Sequence, residues 1–281
     1  MPSPKIAGSC LLSIVLGISC TAAGPANDWQ TLSPGMDLKY VPVQRAGSPS
    51  DARITVLRID AHLWELQAIG PSSTGEKTNR TAREWCESHQ LTAAINAGMF
   101  KTDENTHVGF MRFREHTNNG KTNAYLSVAA FDPRDSSQPP FRIFDLDAPQ
   151  VSMQSILAGY DSAIQNLRLI KRPGANQWTQ QTRLWSEAAL GEDESGRVLF
   201  IFSRTPFSMH DLNQELLAAG IGIVAAQHLE GGPEAQLYIH VADFKLEQFG
   251  SYETSFEEND SNPSPWPIPN ILAVRPRRSK P

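Results

Sequence analysis

The stretch His228-Leu229-Glu230-Gly231-Gly232-Pro233-Glu234-Ala235 decides how the rest of the chain is read. Upstream of it, Ile221 to Leu229 is an apolar run of strand length. The run ends in a carboxylate, two glycines and a proline. A polar side chain at such a point is fixed by the core behind it and still faces an open edge. That suits a preorganised site. Two other stretches share the design. Ala94-Ile95-Asn96-Ala97-Gly98-Met99-Phe100 ends a short strand on Asn96, and Trp185-Ser186-Glu187-Ala188-Ala189-Leu190-Gly191 carries Glu187 in an otherwise apolar run. The glycines let a ligand or another backbone come close.

Working outward, the pattern predicts many strands and few helices. Strands are expected at Met36 to Gln44, Leu91 to Asn96, Phe110 to Phe113, Tyr125 to Phe131, Phe141 to Leu146 and Ala163 to Ile170. Arg53 to Ile69 reads as one long strand or a pair bent at Asp60-Ala61. Trp185 to Leu190 and Val198 to Ser203 form a hairpin around Asp193-Glu194-Ser195-Gly196. Val198 to Phe202 is apolar at every position, so it belongs in a sheet interior covered on both faces. Ala235 to His240 and Ile271 to Val274 complete the strands. Thr81 and Glu84 have capping-box spacing for a helix to about Gln90. Ser208 and Asp211 open a second helix that Gly220 can close. Ala97 to Lys121, rich in glycine and asparagine, reads as a functional loop region. The order suggests an α+β fold, a mixed sheet core with a few packed helices.

The three stretches, in this order, resemble the phosphodiester glycosidase family, over roughly Ile54 to Val274. Its Asn-x-Gly-x-Phe signature is met by Asn96, Gly98 and Phe100, and a following glycine by Gly109. Gln165 matches a glutamine in the strand before the second signature. That signature is met by Ala189-Leu190-Gly191-Glu192-Asp193, and the third by Leu229-Glu230-Gly231-Gly232. The resemblance implies a hydrolase acting on a glycosidic bond, with a sugar–phosphate diester as one substrate class. Three positions depart from the pattern. An arginine before the second signature is Glu187, the family aspartate is Glu230, and a serine after the glycines is Glu234. Losing the arginine removes a natural phosphate clamp.

Glu187 and Glu230 are the expected catalytic pair. Glycoside cleavage commonly uses two carboxyls, one protonated as acid and one as base or nucleophile. Repulsion and burial can set their pKa values apart. Asn96 and the Gly231 and Gly232 amides are expected to hold substrate, with Gly98, Phe100, Gly109, Gln165 and Glu234 around them. Arg112 and Arg114, two apart on a strand, share one face and can supply a clamp or a salt-bridged surface. His107 and His228 lie near the motifs, with a structural role as the alternative for each. The seven histidines show no metal-binding spacing, and neither a metal nor another cofactor is expected. A non-catalytic carbohydrate- or envelope-binding module on the same scaffold is the rival reading.

Composition bounds these choices. The 281 residues are 40% hydrophobic and 20% charged, enough for a buried core. The net charge is −5 and the charges are interspersed, so nucleic acid is a poor partner. The basic residues Arg275, Arg277, Arg278 and Lys280 read as a solvated tail. Lys5, the apolar run Ile6 to Ile18 and the small residues at Thr21 to Ala23 read as a signal peptide over residues 1–23. A leader over 24–34 and the glycosidase-like domain over 35–281 follow. The expectation is an exported, periplasmic or secreted protein without a transmembrane segment in the mature chain. Lipid attachment at Cys20 is the alternative. Of three cysteines only Cys86 lies beyond the signal, so no internal disulfide is expected.

Overall fold

The computed structural model describes Met1, residues 29–43 and residues 52–277. The signal segment beyond Met1, Cys20, Arg278 and Lys280 lie outside the described residues. The expected leader over 24–34 already contains a strand. Gln30–Ser33 pairs antiparallel with Met36–Pro42.

Two sheets face each other. The larger runs, edge inward, from Gln30–Ser33 through Met36–Pro42, Arg53–Ile59, Val198–Phe207, Trp185–Asp193 and Ile223–Gly231. It continues through Tyr160–Lys171 to Met111–Phe113 and His116–Asn119, with Ser127–Pro133 and Phe141–Asp145 branching from Tyr160–Lys171. The smaller runs Phe244–Phe249, Gln236–Val241, Ala93–Asn96, Ile271–Pro276, Trp64–Ile69. Every strand pairing between these elements is antiparallel. The expected α+β balance therefore gives way to a mostly β architecture. Helices cover sheet faces and contribute little else.

The Val198 to Phe202 run shows why. Val198, Phe200 and Phe202 point between the two sheets, while Leu199 and Ile201 point to the other side. That outer side is closed by the helix Met209–Ala218, through Met209, Leu212 and Leu216. A strand buried on both faces has no polar face to show, so its sequence does not alternate. Each such Phe or Leu contributes about 1.5–3 kcal/mol by burial. The helix Ala82–His89 covers the outer face of the smaller sheet in the same way, with Trp85 and Cys86 fully buried. Burial pushes the Cys86 thiol pKa far up, so it is a core residue and not a nucleophile.

Arg53 to Ile69 proves to be two strands in different sheets, Arg53–Ile59 in the larger and Trp64–Ile69 in the smaller. Asp60 makes the corner. Its side chain accepts the His62 amide at 2.8 Å, and its carbonyl accepts those of Leu63 and Trp64 at 3.0 Å. Both expected helix starts are capped. Thr81 Oγ1 accepts the Glu84 amide at 3.2 Å while Glu84 Oε2 accepts the Thr81 amide at 2.8 Å, and Ser208 Oγ accepts the Asp211 amide at 3.1 Å. The strands His116–Asn119 and Phe244–Phe249 were not expected, nor was the helix Met153–Gly159, although Ser152 Oγ caps it by accepting the Ser155 amide at 3.1 Å.

Candidate active site

The strand Ile223–Gly231 delivers His228, Glu230 and Gly231 to the wall of one cleft of about 310 Å³. Trp185, Trp178 and Tyr125 line it with them. An aromatic wall with a few convergent polar groups is the usual make-up of a small-molecule site. The strand is bulged here. Against Trp185–Asp193, His228 pairs with Ala189 and Glu230 with Ala188, so Leu229 has no partner of its own. A bulge re-aims side chains at the end of a pairing. Leu229 stays in the core between the sheets.

Glu230 is 8% exposed. Its Oε1 accepts the Gly231 amide at 3.1 Å. Burial, then the charges of Glu234, Glu253 and Glu187, push its pKa well above the usual carboxylate range. The one amide bond does not offset this. The shift favours the protonated form, the state in which a carboxyl can donate.

Glu234 is pushed up to about 6, first by burial and then by Glu253 and Glu104. A raised folded pKa means that the native state keeps the proton longer than the unfolded chain. Between the ordinary value of 4.5 and about 6 the native state binds more protons, so this contribution to stability is lost as pH rises. Glu234→Gln is expected to melt with the wild type near pH 4 and above it at pH 7 to 8. Thermal melts at both pH values check this. An equal gap at both would mean that Glu234 is not crowded by charge.

Glu187 does not line the cleft. It is 1% exposed and lies behind His228. His228 Nδ1 and Glu187 Oε1 are 2.6 Å apart, and Trp185 Nε1 donates to Oε2 at 2.6 Å. Burial raises the Glu187 pKa, and the His228 and Trp185 bonds oppose the rise. His228 Nδ1 is thus committed to Glu187. Nε2 has no partner among the described residues and is the ring nitrogen left for the cleft. The expected pairing of two carboxylates in one hollow becomes a carboxyl and an imidazole, with the second carboxylate behind the imidazole.

The remaining expected residues build the wall behind the cleft. Asn96 Nδ2 donates to the Glu234 carbonyl at 2.9 Å and Asn96 Oδ1 accepts the Gln236 amide at 2.7 Å. Its amide is spent holding the turn that follows Glu230. Gln165 is fully buried and bonds the backbone of Phe110, Asn123 and Tyr125 with both ends of its amide. Arg112 donates to the carbonyls of Tyr160 and Asp161 at 2.9 Å, across the strand pair and away from the cleft. Arg114 pairs with Glu65 and Asp132, the salt-bridged alternative. Phe100 bridges to His107.

His107 is fully buried, and burial lowers its pKa, so it is neutral. Asn166 Nδ2 donates to the Ala97 carbonyl at 3.0 Å, which leaves Asn166 Oδ1 to accept from His107 Nε2 at 3.2 Å. His107 Nδ1 then accepts the Gly109 amide at 3.0 Å. Its role is structural. Gly98 and Gly109 make room for this network: an added Cβ at Gly109 would lie 2.5 Å from the Gln165 carbonyl oxygen. Gly231 leaves space for the Trp185 ring, 2.9 Å from the place a Cβ would occupy. The Gly231 amide already bonds Glu230, so it is not free for substrate.

With this geometry in hand, the phosphodiester glycosidase family model matches residues 89–275. The chain belongs to the phosphodiester glycosidase family. Among solved structures, it is similar to the zebrafish N-acetylglucosamine-1-phosphodiester alpha-N-acetylglucosaminidase catalytic domain auto-inhibited by pro-peptide. That likeness has a TM-score of 0.61 at 14% identity and covers 88% of this chain and 86% of that one. It is also similar to a hypothetical protein from Synechocystis, with a TM-score of 0.49 at 13% identity, over 86% of this chain and 62% of that one. No curated protein matches by sequence.

As a phosphodiester glycosidase domain, this one carries its departures at the cleft. Glu230 lines it, Glu187 backs it through His228, and the Glu234 charge acts on Glu230. His228 and the aromatic wall line the cleft without having been among the expected catalytic or substrate-holding residues. The signal for His228 was its place two residues before Glu230 on one strand. Trp178 gave none, because it reaches the cleft from an irregular segment. Among the described residues no group of three or more His, Cys, Asp or Glu is arranged to hold a metal ion. No helix among them is long and apolar enough to cross a membrane.

Proposed function

We propose that this chain is an exported hydrolase that cleaves a glycosidic bond, with Glu230 as general acid and His228, positioned by Glu187, as base. The observation that carries the reading is a buried carboxyl of raised pKa in an aromatic-walled cleft, beside an imidazole whose far nitrogen is locked. Glu230 gives its proton to the departing glycosidic oxygen as the bond to the anomeric carbon breaks. His228 Nε2 takes a proton from the water that adds to that carbon. Proton transfer of this kind contributes about 10²–10⁴-fold. The aromatic walls suit the apolar faces of a sugar ring. A sugar–phosphate diester is the substrate that family membership favours, in an extracytoplasmic glycan or glycoconjugate. The apolar run Ile6 to Ile18 supports export, and Cys20 is the place for a lipid anchor.

A screen of phosphodiester-linked and ordinary glycosides tests this, with Glu187→Gln beside the wild type. Gln keeps the shape, and its oxygen still accepts from Trp185. Its NH₂ then faces His228 Nδ1 and forces the ring proton onto Nε2, where it blocks the base. Turnover is expected to fall by about 10²–10⁴-fold, the range that one proton-transfer group supplies. Binding without turnover across the whole screen would make the protein a carbohydrate- or envelope-binding module instead.

A further inference from the structure

The cleft holds two donors that the fold leaves without partners. Gln181 Nε2 is buried and makes no hydrogen bond among the described residues. Arg183 is exposed and makes no hydrogen bond or ion pair with a described residue. Both line the cleft with Glu230 and His228. A buried unpaired N–H is rare in a finished fold and asks for an acceptor.

The segment carrying them is tied at both ends. Trp178 Nε1 donates to the Arg168 carbonyl at 2.8 Å, and Gln180 Nε2 donates to Asp211 at 3.0 Å. The Leu184 amide donates to Thr254 Oγ1 at 2.9 Å. Gln181 and Arg183 flank a bend at Thr182 in this irregular stretch, and both side chains line the cleft. The arrangement is set before any ligand arrives. The carboxyl groups lining the cleft, Glu230 and Glu253, offer an anion no attraction. An anion entering it therefore needs a cation of its own, and Arg183 is that cation. A guanidinium beside an amide N–H is a donor set for oxyanions.

We propose that Gln181 and Arg183 form an oxyanion-binding subsite of this cleft and set its specificity for a substrate bearing a phosphodiester or carboxylate oxygen next to the sugar. This rests on the cleft being the substrate site. The arginine that the second signature lacks at Glu187 is thereby replaced in function from the preceding segment.

Titration calorimetry with three probes tests it: a hexose 1-phosphate, a hexuronic acid and the uncharged methyl hexoside. The wild type is expected to prefer one anionic probe over the uncharged one by about tenfold or more, as a charge-assisted contact gives. Which anion is preferred separates phosphate from carboxylate. Arg183→Ala should collapse that preference to about threefold or less, and Arg183→Lys should restore part of it. Gln181→Leu should lower the anion affinity with the melting temperature held. No anion preference in the wild type, or an equal loss for all three probes in Arg183→Ala, overturns the proposal. Glu230→Gln should still bind the preferred anion. Retained turnover in that variant would remove Glu230 from the chemistry, and loss of turnover with anion binding kept would leave the subsite standing beside it.

Discussion

Glu230→Gln is expected to lose about 10²–10⁴-fold in turnover and to melt within a degree or two of the wild type. The two halves of this result have one cause. Burial and three neighbouring acids push the Glu230 pKa well above the usual carboxylate range, so the native site favours the neutral side chain. A glutamine of the same shape still accepts the Gly231 amide through its oxygen. It relieves no charge and creates no gap, so stability has no reason to move. It has no acidic proton to give to a leaving oxygen, so catalysis does. Steady-state kinetics on a substrate found by the screen, with thermal melts of both proteins, decide it. A variant that unfolds would make Glu230 a structural residue. A variant that keeps its rate would remove it from the chemistry.

Gly98→Ala is expected to destabilise the fold by about 3–5 kcal/mol, an overpacking clash added to backbone strain. Gly98 has φ of +145°, a conformation that side chains rarely adopt. An added Cβ would lie 2.2 Å from Asn166 Oδ1 and 2.3 Å from His107 Nε2. These atoms are a buried hydrogen-bonded pair and not the free end of a mobile side chain. Neither can move without leaving a buried polar group unpaired, which adds to the cost. Gly75→Ala is the control. Gly75 has φ of +76° and nothing within 4 Å, so it carries strain without a clash. Chemical denaturation of both variants checks the difference. If Gly98→Ala costs no more than Gly75→Ala, the His107–Asn166 network yields more readily than its burial implies.

The signature glycines and asparagine thus have a physical reading that the motif alone does not give. Asn96, Gly98, Gly109 and Gln165 were expected around a substrate. They instead hold the backbone on which the cleft stands, each spending its polar groups or its missing Cβ on a neighbouring chain segment. A residue that ligates and a residue that braces the ligating one look alike in a sequence. Both are polar or glycine, and both sit where an apolar run stops. Only the partner of each polar atom separates them, and those partners lie far along the chain. Asn96 and Gln236 are 140 residues apart.

Local patterns were legible for local reasons. Capping boxes, the Asp60 corner and the doubly buried Val198 to Phe202 strand each follow from contacts within a few residues or from burial on both faces. The weak edge strand Phe244–Phe249 was missed because none of its residues is buried and half of its sequence is polar. The α+β expectation erred on proportion. Two helices announced themselves by their caps, while short strands hide in polar loops until a partner strand pairs with them.

By itself the sequence determined which segments become buried strands, that three of them end in polar residues and glycine, and to which family the chain belongs. Those properties depend on composition and short-range order, which the chain carries wherever it folds. The tertiary structure decided which of those ends share a cleft. It set Glu187 behind His228, raised the pKa of Glu230 in the wall, and brought Trp178, Gln181 and Arg183 to the same hollow. The charge and the free valences of a side chain depend on what surrounds it, and that is fixed only when distant strands close on one another.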